Sequence, residues 1–355
     1  MYLTFSDIQT DLYKQIRGSS SNAITGSTEV KRAINNQMLV VAHQYPWPWR
    51  QDILTIQTQA PYSTGTITAT NASYVVTGAS TSWDTGWTGM WIYVDADGEW
   101  YKVRNISSTT ALTLEQPYTG TTGGSKTYKL YKRLYTLPAI VDDIGNNFRI
   151  QKLNHTVRYK SKEAFDRKYT VNSGTGMPYH FTRWGISYPL KTYTTGTITG
   201  TQGTYTVTGS STTWLGKVER GDEIEISSTK YNVASVESDT SLTLVQYLQT
   251  SPSGATYTAR STNNVVLEFG YLPDTTYNIE ISYLRKVFKL IDDNDLFQVP
   301  SAFLEVVRKY AMAELLAAHD SDRAASEKAL GDAALETMLT EHTFGLEKNI
   351  SIERH

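Results

Sequence analysis

Apolar residues recur at helical spacing at both ends of the chain and alternate with polar ones through its middle. Ile8, Leu12 and Ile16 fall on one helical face, with Ser6 as the expected N-cap and Gly18 as the stop. A Ser-rich loop at 18–22 precedes a second helix, capped by Ser27 or Thr28, in which Val30, Ile34, Met38, Val41 and Tyr45 repeat. Pro46 must end it, because proline lacks the donor and clashes with the preceding turn. Trp47 and Trp49 follow between prolines, and 53–57 reads as a strand. At the other end, Ser301 is expected to cap a helix carrying Phe303, Val306, Val307, Tyr310 and Leu315. Asp320 or Ser321 starts another, where Ala324, Ala325, Ala329, Ala333 and Ala334 combine helix propensity with room for close helix contact. A polar tail is expected beyond Phe344.

The middle repeats itself. Residues 65–83, GTITATNASYVVTGASTSW, align with 196–214, GTITGTQGTYTVTGSSTTW, at a constant offset of 131. Tyr101, Val103, Ile106, Ser108, Thr110, Leu112 and Leu114 then match Tyr231, Val233, Val236, Ser238, Thr240, Leu242 and Leu244 at an offset of 130. Each copy ends in a Gly/Ser-rich turn and a last strand, KTYKLYK or ATYTARS. Period-2 alternation broken by Thr-Gly, Asp-Gly and Gly-Gly turns predicts a small antiparallel sandwich or barrel, present twice.

Removing both copies leaves a helix, a helix, several strands and two more helices. The fold class is therefore α+β: a helical frame built from both chain ends with a small sheet, plus two duplicated all-β inserts. The expected domains are a discontinuous core of 1–62, 132–192 and 262–343, inserts at 63–131 and 193–261, and a tail at 344–355.

Composition adds 24 Tyr, 8 Trp and no Cys in 355 residues, with a net charge of −2. Aromatic and β-branched residues suit pleated sheets. The near-neutral charge argues against polyanion binding over the whole surface, though it leaves room for a local basic patch. Without cysteine there is no disulfide, thiolate-held zinc or thiol nucleophile. The N-terminus lacks the pattern of a signal peptide, and no stretch has the length of a membrane span. The Asn-x-Ser/Thr triplets at Asn71, Asn105, Asn154 and Asn349 are then expected to be chance matches.

Candidate chemistry is sparse, and no catalytic, cofactor or metal residue is expected. The six histidines, His43, His155, His180, His319, His342 and His355, have no metal-binding spacing. Neither a nucleophile elbow nor a phosphate-cradling loop is present. Asp95, Asp97 and Glu99 resemble the start of a calcium loop but lack its distal carboxylate, and an Asp-Gly turn explains them better. Asp292, Asp293 and Asp295 could hold a cation, or form an Asx-rich turn before the C-terminal helices. Trp83 and Trp214, at equivalent places in the repeats, are expected in core or hairpin-edge packing rather than as sugar-stacking platforms. Trp47 and Trp49 could anchor a neighbouring subunit or be buried. Lys31, Arg32, Arg308 and Lys309 are the densest basic pairs on predicted helices, suited to loose DNA contact or to ordinary solvated faces.

The order of the non-repeated pieces resembles the head-to-tail adaptor proteins of tailed phages, of the tail tubular and gatekeeper-like kind. It is carried by YPWPWR after a capped helix, the Tyr135, Leu137, Pro138 element, the step Gly176-Met-Pro-Tyr179, the Leu267, Pro273, Asp274 hairpin and the Pro-initiated helical pair. Gly-Met-Pro stands where Gly-Thr-Pro is commoner, and the β-inserts lie outside the likeness. The resemblance implies a structural, non-enzymatic virion protein of the neck, made in the host bacterial cytoplasm. It implies a homo-oligomeric ring, commonly a dodecamer, that docks on the portal protein and continues the DNA channel. Double-stranded DNA would pass non-specifically through the lumen, and a tail, nozzle or stopper protein would dock below. Trp47, Trp49, Arg308 and Lys309 become interface candidates. Phe344, Ile350 and Ile352 would lie on the tail that reaches the portal, and the inserts could contact tail fibres. The rival readings are a receptor- or polysaccharide-binding tail protein and a virion-borne cell-wall hydrolase.

Overall fold

The computed structural model describes residues 3–17, 27–87, 89–153, 155–169, 174–186, 192–261 and 265–350. It divides into two compact units, one of 1–51, 191–260 and 286–355, the other of 52–190 and 261–285. Mixed α+β structure is what forms: the described residues hold five α-helices and three sheets.

In the first unit, α1 (Phe5–Arg17), α2 (Ser27–Gln44), α4 (Leu304–Leu316) and α5 (Ser321–Ile350) share one apolar core. The helical stripe of α1 is buried as its spacing requires, through Phe5, Ile8, Leu12 and Ile16. Its cap differs from expectation. Thr4, rather than Ser6, starts the helix: its hydroxyl donates to Asp7 Oδ2 at 2.8 Å and accepts from the Asp7 N–H, a reciprocal capping arrangement. Ser301 is likewise no cap, since it opens a short 3₁₀ turn, Ser301–Phe303, that runs into α4 after Pro300. Asp320 does cap α5, accepting from the Arg323 N–H at 3.0 Å. Gly331 gives the close approach of α4 and α5: a Cβ there would meet the Tyr310 ring at 2.8 Å. Ala324 and Ala334 face the core, whereas Ala325, Ala329 and Ala333 are exposed. The helix α5 continues past Phe344 to Ile350, where a tail was expected.

In the second unit an eight-stranded sheet runs in the order Gln51–Gln57, Asn278–Arg285, Asn147–Ile150, His155–Tyr159, His180–Ile186, Val265–Gly270, Leu134–Thr136, with Val141–Ile144 also on Asn278–Arg285. The strands His155–Tyr159 and His180–Ile186 pair in parallel. A parallel pair needs a crossover, and α3 (Lys162–Lys168) lies within it. Ser161 caps α3, and Phe165 is its buried anchor.

The repeats form two seven-stranded sheets, one in each unit. In the first, the edge strands Gly123–Lys126 and Tyr128–Tyr131 are separated by Thr127 alone, so the sheet curls on itself. In the second, the Ile198–Ala255 bridge closes the same gap. The long strands Glu99–Ser108 and Thr229–Ser238 carry register shifts at matching places, Val103/Asn105 and Ile106/Ser108 against Val233/Ser235 and Val236/Ser238. These bulges bend the strand so that it serves both halves of the curled sheet.

Candidate assembly surfaces

Each repeat is locked by one tryptophan. Trp83 and Trp214 are buried, donating their indole N–H to Tyr128 and Tyr257 at 2.9 and 2.8 Å. Each tyrosine in turn donates its hydroxyl to a carbonyl, of Thr64 or Thr195, at 2.7 Å. Burial without ionic partners pushes the phenols up, Tyr257 to about 12. The sugar-platform reading of these tryptophans therefore fails, and the packing one stands. Gly78 and Gly209 sit against them, where a Cβ would meet the indole at 2.9 and 2.8 Å. Tyr62 and Tyr193 complete the pattern, their hydroxyls accepting from Ser82 and Thr213 N–H at 2.7 and 2.9 Å. Sequence reasoning missed this pair, although both lie at the repeat's own offset of 131, just before the aligned block.

The twin sheets differ on one face. In the first, Trp91 and Tyr93 pair across strands with Tyr131 and Trp100, and the rings of Tyr93, Trp100 and Tyr131 lie 4.9 and 5.2 Å apart in sequence. In the second, the same lattice positions hold Glu223, Glu225, Arg260 and Lys230. There Lys230 pairs with Glu223 at 2.9 Å and Arg260 with Glu225 at 3.0 Å. One scaffold thus presents an aromatic surface in one copy and an ion-paired surface in the other.

Four of the acidic candidates, Asp97, Asp292, Asp293 and Asp295, are occupied by donors of the chain itself. Asp97 accepts from the Tyr118 hydroxyl, from Lys126 Nζ at 3.0 Å and from the Thr121 N–H at 3.2 Å. The Tyr118 hydrogen bond is the main cause that holds its carboxyl below the usual range. Asp293 pairs with Lys31 at 2.7 Å and accepts from Gln9. Asp292 makes the expected Asx turn, accepting from the Asn294 N–H at 2.9 Å. Asp295 is buried and accepts from the backbone N–H of Ile291, Asp292 and Tyr247. Among the described residues no cluster of His, Asp or Glu could hold a metal ion.

Asp295 belongs to a strap, 286–299, that has no strand or helix of its own. Buried backbone groups need partners, and here side chains supply them. Gln298 bonds both the N–H and carbonyl of Phe288 at 2.9 Å. Gln246, from the second repeat, donates to the Lys289 carbonyl at 2.9 Å. Asn35, from α2, donates to the Leu290 carbonyl at 3.0 Å and accepts from its N–H at 2.8 Å. The strap therefore fastens the second repeat to the helices.

The interface candidates scatter. Trp47 is 0% exposed, edge-on to Phe303 and bonded through Nε1 to the Val41 carbonyl, so its ring is a core element of this chain. Trp49 is half-buried against the same Phe303. Arg308 pairs with Glu305 at 3.4 Å, and Lys309 with Glu327 at 2.9 Å, which engages both in the helical bundle's own ion pairs. Lys31 is engaged by Asp293, while Arg32 is exposed. Phe344 and Ile350 lie on α5, and Ile352 falls outside the described residues.

A basic surface that sequence reasoning passed over lies in the second unit. Residues 149–168 hold seven Lys/Arg and two acidic residues in a chain of net charge −2. The α3 acids are engaged within their own helix, Glu163 by Arg167 at 2.9 Å and Asp166 by Lys162. Buried Glu268 takes Arg133 and, at 3.6 Å, Lys162. Arg158 and Lys160 keep no ion-pair partner among the described residues. His180 beside them is held below its usual range, first by burial and then by the charges of Lys168, Lys160 and Arg158. The signal was the charge of a twenty-residue window, diluted in the whole-chain sum.

No helix among the described residues is long and apolar enough to cross a membrane. No curated protein matches the chain. Residues 183–347, from the strand His180–Ile186 through the second repeat, the strap and into α5, match the family model of the SU10 adaptor protein. Such a family implies a virion component, and the match supports a phage adaptor-type, structural protein.

Proposed function

We propose that this chain is a subunit of a head-to-tail adaptor ring that docks on the portal protein and continues the DNA channel toward the tail. The observation that carries this reading is the adaptor-family match, whose C-terminal half covers the strap, α4 and most of α5. Those elements pack with the N-terminal helices in one core, so this part of the matched segment belongs to a helical body able to present a constant surface. A closed ring needs a heterologous interface with the rotation fixed by that surface. The subunits act by geometry and burial, without turnover. A tail or stopper protein docks below, and the two repeats, with their unlike faces, engage different neighbours. Mixing the full chain with the portal protein of its own virion tests this by native mass spectrometry. A portal-bound, symmetric oligomer is expected; two species that stay separate at every ratio and salt concentration would refute it.

A polysaccharide-binding role is the second reading. The aromatic face of Trp91, Tyr93 and Trp100 in the first repeat favours it, since half-buried rings can stack on sugars. Binding of the full chain to host-surface polysaccharide, lost on Trp91→Ala with Trp100→Ala, would establish it; equal binding by both proteins would dismiss it.

A further inference from the structure

We draw no further inference here: the strongest candidate, the half-buried aromatic patch of Trp91, Tyr93 and Trp100 on one face of the first repeat's sheet, already carries the polysaccharide reading above, and nothing in the structure shows what covers it.

Discussion

Asn35 and Leu290, 255 residues apart, are joined in both directions: the amide of one donates to and accepts from the backbone of the other. The side chain does for the strap what a neighbouring strand would do for a sheet edge. Because both sites are buried, Asn35→Ala strands one N–H and one carbonyl, at a cost of about 2–4 kcal/mol. Urea denaturation followed by helical ellipticity should show a lower midpoint with an unchanged slope. An unshifted midpoint would mean that the strap is not held by this clamp.

The matched tryptophan locks make a comparison within one chain. Trp83→Phe and Trp214→Phe each remove one N–H donor while leaving most of the ring's packing, so each should cost about 1–2 kcal/mol. The two costs should agree closely, since both locks have the same donor, acceptor and relay. Replacement by alanine should cost about 3–5 kcal/mol. Denaturation of the two variants side by side checks the equality.

Acid should affect the two repeats unequally. Asp97 has its folded-state pKa lowered, first by Tyr118 and then by Lys126. It therefore stabilises the first repeat above its unfolded value of about 3.9, and that contribution is lost as pH falls through the lower folded value. Tyr118 is raised to about 12, so its contribution holds below about 10 and is lost as pH climbs through about 12. The second repeat has Leu248 and Ala255 in the places of Tyr118 and Lys126, so it lacks this Asp–Tyr–Lys contact. Hydrogen exchange between pH 2 and neutrality, in order-of-magnitude steps, should show the first repeat opening earlier in acid. Asp97→Asn should remove the difference.

Gly331 sets the distance between α4 and α5. Gly331→Val places methyl groups on the Tyr310 ring, where even a Cβ would lie at 2.8 Å, and should destabilise the bundle by about 1–3 kcal/mol. Thermal unfolding checks this. Ala329→Val, on the exposed side of the same helix, is expected to cost under about 1 kcal/mol.

The duplication and the helices were legible because their signals are local: Ile67 and Ile198, or Ile8 and Leu12, announce a period within a few residues. The Asx turn at Asp292 and the packing role of Trp83 and Trp214 were legible for the same reason. The strap was not, since its order comes from amides distant in sequence and leaves no hydrophobic period. Helix caps went astray where two polar residues competed: Thr4 outdoes Ser6 because Asp7, three residues on, returns its hydrogen bond. The interface candidates were chosen by residue type, and type cannot distinguish Trp47 in a core from a tryptophan on a surface. The basic surface was hidden by averaging. Arg158 and Lys160 stand out because α3 absorbs the neighbouring acids, which only the fold reveals.

Cryo-electron microscopy of the intact virion tests the central claim most directly. The account predicts density for this chain as a closed ring at the neck, seated on the portal and surrounding the DNA. Density confined to fibres or to the distal tail, with some other chain against the portal, would contradict it.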